Sequence, residues 1–414
     1  MDTFESFLRT APGEDLFAKC GRLCAALGTG AGAAARGLAL RAAGPVGPRT
    51  LLAAPGEKPR PFLMFGSNSY LNLGTHPAVV EGARRALERY GYGAGAVSLY
   101  AGATDLVREL EARIADFCGT EDAIVFAGGY ATNVGVLSAL CGPGDEIVND
   151  SANHASIFDG TRLSGADAKV FLHGRADRLG RLLARPPAGG GGRLVATDGV
   201  FSMNGDLAPL GRIAPLVRAA GARLLVDDAH GIGVAGPTGR GTAEACGVRD
   251  LVDLHVGMLS KAPAGLGGFC AARREVVAHL RLYARTYFFS TAMPPPVAGG
   301  LVEAFRLLAA DAAGRRELLR NVADLRARLA AAGFELGPGG AGIVPVYVRD
   351  EARLAALHAD LLAAGLYCNL VSYPACRRKE CRLRLCAMKS HSPADVEEAA
   401  AILAALGRRH GVVP

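Results

Sequence analysis

From Phe62 onward the chain alternates between two hydrophobic patterns. Short apolar runs recur at Ala123–Ala127, Glu146–Asp150, Ala168–Leu172, Arg193–Thr197, Arg223–Asp227, Leu254–Met258 and Gly268–Ala272. Their length and bounding turn residues predict strands buried on both faces. Helical periods lie between most of them, at Ala78–Tyr90, Asp105–Cys118 and Leu210–Ala220 for example. Strand–helix alternation of this kind predicts an α/β domain built on a large, mostly parallel sheet. Gly189–Gly192 reads as a flexible surface loop before one strand. From Leu301 a long helix, broken near Ala313–Gly314, leads out of this domain. Strands at Ile343–Val348, Tyr367–Val371 and Cys381–Ala387, with helices at Leu354–Ala364 and Pro393–Leu406, predict a smaller α+β domain. The first 60 or so residues offer two weak helical stretches and a Pro/Gly-rich tail. The pattern therefore predicts an N-terminal arm at 1–61, a large domain at 62–300 and a small domain at 301–414.

Composition narrows the class. Half the residues are hydrophobic and 21% are charged, which describes a globular protein with well-filled cores. The net charge of +7 is modest, and no stretch interleaves basic with aromatic residues, which argues against nucleic-acid binding. The alanine-rich stretch from Cys24 to Gly47 is interrupted by Arg36, Arg41 and Pro45, so no membrane span is expected there. The N-terminus is acidic before it is apolar, unlike a secretory signal. With no such signal, the ten cysteines read as free thiols, and the expected location is cytoplasmic. The spacing of Cys376, Cys381 and Cys386 is not a zinc pattern, and no metal is expected.

One lysine stands out. Only six of the 46 basic residues are lysines, and Lys261 alone lies in a run of apolar residues and glycine, His255–Ala272, with no other formal charge. An ammonium there is costly unless it is paired or loses its proton, and a neutral amine is a nucleophile for carbonyls. Upstream, the apolar run Leu224–Val226 ends in Asp227, Asp228 and His230. A lysine for an aldehyde and an aspartate for a pyridinium nitrogen are the protein groups that pyridoxal 5'-phosphate (PLP) requires. Other polar residues also fall at predicted strand ends, where α/β sheets bind ligands. Asn153 and His154 follow one strand, and Asp198 and Ser202 another. Gly128, Gly129 and Tyr130 follow a third and open a helix whose amides could hold a phosphate. Each alone has an ordinary structural explanation, whereas their common register does not.

Seven segments resemble one family in its order and spacing: Ser67–Gly74, Asn153–Gly160, Thr197–Asp206, Val226–Gly233, Ser260–Gly268, Phe289–Pro295 and Cys381–His391. They look like the α-oxoamine synthases, PLP enzymes of fold type I. The resemblance runs from about Phe62 to Leu406. It implies a decarboxylative condensation of an amino acid with an acyl thioester, carried on coenzyme A or an acyl carrier protein, giving an α-amino ketone. It also implies a homodimer with shared active sites. By position, Lys261 would hold the cofactor and move Cα protons. Asp227 would pair the pyridine nitrogen, and His154 would stack on the ring. Ser202 and His230 would reach its phenolic oxygen. Gly129, Tyr130 and Ser260 would bind the phosphate, joined by Ser290 or Thr291 from a second subunit. Arg384 would bind the amino-acid carboxylate, with Asn68 close by.

The chain departs from the family pattern in places. Met258 stands where members usually have threonine near the phosphate. Val107 replaces a frequent histidine. Val97 and Leu99, followed by Tyr100, occupy positions where aminolevulinate synthases carry a polar pair for a succinyl group. That mixture argues against succinyl-CoA and for a member of specialised metabolism. An aminotransferase or lyase on the same fold is the alternative, disfavoured by the combined motifs. A degenerate regulatory subunit would lack Lys261.

Overall fold

Among the described residues of the computed structural model, 9–28 and 40–414, the seven predicted runs pair into one sheet. Its strands are β1 (Asp122–Phe126), β2 (Glu146–Asp150), β3 (Asp167–Phe171), β4 (Arg193–Asp198), β5 (Arg223–Asp227), β6 (Leu254–Met258) and β7 (Gly268–Ala272). Their order across the sheet is β3-β2-β4-β5-β6-β7-β1. The five strands from β3 to β6 run parallel, and β7 is antiparallel to both β6 and β1. Parallel neighbours need a crossover, and the helices that the sequence places between strands supply it.

Strand alternation sends successive residues to opposite faces. Ile147, Leu194, Ala196, Leu225 and Val256 join a core that includes Val136 and Leu137 of helix Gly129–Leu140 and Val277 and Leu280 of helix Arg274–Tyr283. Val148, Val195, Leu224 and Val226 join a second core with Leu179 of helix Ala176–Leu183 and Ile213 and Val217 of helix Leu210–Ala219. The strands are thus buried twice over, which is why they read as continuous apolar runs. On this frame, β1, β2, β4, β5 and β6 end along one edge, where connecting loops carry the polar residues.

The chain divides into two compact units, drawn differently from the sequence expectation. One comprises residues 68–319 and 340–342; the other comprises 1–67, 320–339 and 343–414. In the second unit Leu63 and Met64 pair in parallel with Leu366 and Tyr367, and Arg49–Leu52 pair with Arg60–Leu63. Residues 40–61 therefore supply strands to a sheet shared with the C-terminal part of the chain. A pairing across some 300 residues leaves no local pattern to read. The helical stretch expected after Leu301 begins earlier, as Pro295–Ala310, and breaks at Asp311 before Ala312–Ala331. One N-terminal helix is Ala18–Gly28; whatever else was expected at 1–8 and 29–39 lies outside the described residues.

Candidate active site

The loops after the parallel strands enclose a cavity of about 180 Å³. Gly129, Tyr130, His154, Ser202, Asp227, His230, Ser260 and Lys261 all line it, together with Asp198, Val200, Ala229 and Met258. Lys261 is half-buried. Its turn is held by Ala264 N–H to Lys261 C=O, 2.9 Å, with Ala264 at a left-handed φ of 62°.

The two adjacent carboxylates at the end of β5 have separate partners. Asp227 Oδ2 accepts from Asn133 Nδ2 at 2.6 Å and Asp227 Oδ1 from the Ala229 N–H at 3.1 Å. Asp228 does not line the cavity. It accepts from Thr242, through the hydroxyl at 2.7 Å and through the backbone N–H. Burial pushes the Asp228 carboxyl up to about 6, against those two hydrogen bonds. The alternation of a strand separates the pair, and the partners give each its task.

Asn133 also donates to Ser156 Oγ at 2.9 Å, and Ser156 Oγ lies 2.7 Å from His154 Nδ1. The carboxylate orients the amide, since it only accepts. Ser156 Oγ already accepts from Asn133, and the Ser156 backbone N–H points at the same ring nitrogen, 3.3 Å away. Its hydroxyl proton therefore goes to Nδ1, which leaves the neutral His154 ring protonated at Nε2. Asn133 and Ser156 are both fully buried and connect Asp227 to His154. On the other side, Tyr70 Oη is hydrogen-bonded to His230 Nδ1 at 2.7 Å and lies 3.5 Å from Asn68 Oδ1. Asn68 thus reaches the cavity wall through Tyr70.

The Ser202 loop is secured from β3. His173 bridges Asp150 at 3.1 Å and Asp206 at 2.8 Å, and its ring packs edge-on against Phe201 at 4.2 Å between centroids. These two carboxylates raise the His173 pKa to about 10. Helix Gly129–Leu140 opens at Gly128 with no side-chain cap, so its first N–H groups face the cavity end uncommitted to a side chain.

Six further expected residues do not line this cavity. Ser290 and Thr291 do not line the cavity of their own chain; Thr291 forms a bridge to Val97. Leu99 and Tyr100 are exposed, and Tyr100 packs edge-on against Phe288. Arg384 belongs to the other unit, on strand Arg382–Cys386, buried and donating to Asn369 Oδ1 at 3.3 Å.

The aminotransferase class I and II family model matches residues 60–403. The chain belongs to that family. It is 43% identical over 355 residues to the 8-amino-7-oxononanoate synthase of Geotalea daltonii, covering 85% of this chain and 90% of the relative. It is 39% identical to the 4-hydroxy-2,2'-bipyrrole-5-methanol synthase PigH of a Serratia species, covering 85% of this chain and 54% of that protein. Among solved structures it superposes on Sphingomonas wittichii serine palmitoyltransferase with a TM-score of 0.92, 34% identity and coverage of 97% and 100%. A serine palmitoyltransferase structure carrying PLP matches with a TM-score of 0.91 and 31% identity. Within its family the chain is an α-oxoamine synthase: a PLP-dependent acyltransferase that condenses an amino acid with an acyl thioester and releases carbon dioxide.

The residues of this α-oxoamine synthase fit PLP. An uncapped helix N-terminus suits the phosphate, Lys261 suits the aldehyde, Asp227 suits a protonated ring nitrogen, and the His154 imidazole offers a flat face. Sequence reading missed Asn133, Ser156 and Tyr70 as supports. Asn133 sits within a helix and carries no local signature, whereas Ser156 and Tyr70 both lie within matched segments. Among the described residues no helix is long and apolar enough to cross a membrane.

Proposed function

We propose that this α-oxoamine synthase takes an acyl group that is apolar near the thioester, in preference to a succinyl group. The observation that carries this is the segment 91–104, which contains no charged side chain. Val97, Leu99 and Tyr100 lie in it. The segment is fixed by the Ala292 N–H to Ala96 C=O bond of 3.0 Å and by the Val97–Thr291 bridge. None of its side chains carries a positive charge to pair a carboxylate, and burying an unpaired one costs several kcal/mol. Each buried methylene instead contributes about 0.8 kcal/mol. The product named for the 43% identical relatives is a nine-carbon carboxylate with adjacent amino and oxo groups, so its acyl chain is apolar near the new bond and carries its carboxylate at the far end.

PLP, when bound, supplies the electron sink that acidifies the amino-acid Cα–H. The protein groups divide the remaining work. Lys261 Nζ takes up and returns the Cα proton. Asp227, held by Asn133 and Ala229, pairs with a ring N–H. His154 would cover one face of the ring, and Ser202 and His230, which line the same cavity, would donate to its phenolic oxygen. The N–H groups of Gly129 and Tyr130, with Ser260, bind phosphate. A substrate carboxylate would call on Arg384 and Asn68, the residues that the family resemblance assigns to it. The enzyme acts as a cytoplasmic homodimer in specialised metabolism, each subunit offering Ser290 or Thr291 to its partner's phosphate site. Coenzyme A and an acyl carrier protein are both candidate thiols.

The test compares turnover of succinyl-CoA with medium-chain acyl thioesters, each on coenzyme A and on a carrier protein. Medium-chain substrates are expected to react at least tenfold faster by kcat/KM. Equal or better use of succinyl-CoA would show that the loop only packs and does not select.

A further inference from the structure

β4 and β5 are parallel neighbours, and their last residues, Asp198 and Asp227, are in register. In-register residues on adjacent strands point to the same face. Two carboxyl groups therefore stand side by side on the cavity floor, Asp198 4% exposed and Asp227 3% exposed. Their hydrogen bonding differs. Asp227 receives two N–H donors, from Asn133 and Ala229. Asp198 Oδ1 is buried and has no hydrogen-bond partner in the protein. Two neighbouring carboxylates in a dry site do not both ionise readily, and the better-solvated one keeps the charge.

We propose that Asp198 is a neutral carboxylic acid that donates its O–H hydrogen bond to an anionic oxygen of the bound ligand, while Asp227 serves as the carboxylate of the pair. This rests on the reading of the cavity as the PLP site. The other groups facing Asp198 support the division. Asp150, at the end of β2, is a further negative charge, itself engaged by His173 and by the N–H groups of Ala152 and Gly174. His154 and His230 line the same cavity, and Lys261 is its one cation. Burial acts most strongly on Asp198, followed by the charge of Asp227; together they raise it well above the usual carboxylate range. The His154 backbone N–H and the Lys261 ammonium pull the other way and are outweighed. The Asp198 backbone is fixed from below: its N–H donates to Asn153 Oδ1 at 2.9 Å, and Asn153 Nδ2 donates to Ala196 C=O at 2.8 Å.

The anionic oxygen has two sources, the phenolate of PLP or the carboxylate of the amino acid, and two binding arms separate them. In the full-length apoprotein with labelled aspartate carboxyls, infrared difference spectra against Asp198→Asn should show a protonated carboxyl at pH 7. In the first arm PLP is titrated into the apoprotein; in the second, amino acids are titrated into the holoenzyme. Asp198→Ala should weaken one arm by about tenfold or more, and that arm names the source. Asp198→Asn, neutral and still a donor, should recover most of the loss. Wild-type affinity in that arm should fall at alkaline pH as the acid ionises, a test that needs no variant to fold. An ionised Asp198 at pH 7, or Asp198→Asn as damaging as Asp198→Ala, would overturn the proposal. Failure of the wild-type apoprotein to bind PLP at all would instead refute the cofactor assignment, while the infrared result would still decide the protonation state.

Discussion

Two acidic residues next to each other in the sequence, Asp227 and Asp228, are separated by their surroundings. Alternation along a strand says that they face opposite ways but not which one meets the ligand. The structure turns Asp227 into the cavity and engages Asp228 with Thr242 behind it. Asp227→Asn should lower kcat at least 100-fold with the fold intact. Asp228→Asn should cost roughly 1–3 kcal/mol of stability through the altered hydrogen bonds to Thr242, with a far smaller fall in kcat. The reverse ranking by steady-state kinetics and thermal melts would assign the pair the other way. His173 gives a pH-dependent signature. Its folded pKa near 10 lies above the ordinary histidine value of 6.5, because Asp150 and Asp206 bond to the charged ring. A raised folded pKa stabilises fully below the unfolded value and is lost as pH climbs through the folded one. The Tm gap between wild type and His173→Gln should therefore be widest near pH 6 and narrow steadily towards pH 10. A gap independent of pH would mean that the ring is neutral throughout. Asn133 shows where reading single residues stops. A lone asparagine in an apolar helix has no local mark of function, and its role emerges only when Asp227 and Ser156 are brought to it.

At the scale of elements, most of the large unit was legible. Strands buried on both faces must be apolar at every position, so each announced itself as a short run, and the observed boundaries differ from the expected ones by at most a residue or so. The helix break near Asp311 was legible within a few residues for the same reason: periodicity fails there. What the sequence hid were pairings between distant segments. The contact of helix Pro77–Tyr90 with helix Pro295–Ala310 is one case. A Cβ on Gly82 would lie 2.6 Å from the Gly299 carbonyl oxygen, and one on Gly299 would lie 2.5 Å from that of Gly82. The two backbones touch, and glycine is the only residue that permits it. Gly299→Ala should cost about 1–3 kcal/mol, as overpacking does. Chemical denaturation checks this, and unchanged stability would mean that the helices can separate freely.

At the scale of the whole molecule, the boundary expected at residue 61 falls inside the strand Arg60–Met64. Strands at 49–53 and 60–64 join a sheet completed by Leu366–Tyr367, so this stretch reads as a linker until its pairing with a segment some 300 residues away is seen. The proposed sharing of active sites between subunits makes a prediction of its own. Inactive Lys261→Ala subunits mixed with inactive subunits carrying Ser290→Ala and Thr291→Ala should regain up to about a quarter of wild-type activity, since one intact site forms per mixed dimer. No recovery on exchange, or a competent monomer by light scattering, would count against sharing. The central claim is decarboxylative condensation rather than amino transfer on the same fold. Its most direct test is the stoichiometry of a single reaction of holoenzyme, amino acid and acyl thioester. The account predicts one free thiol and one carbon dioxide released for each amino acid consumed, with no keto acid formed. Amino transfer to a keto acid, with the thioester left intact, would contradict it.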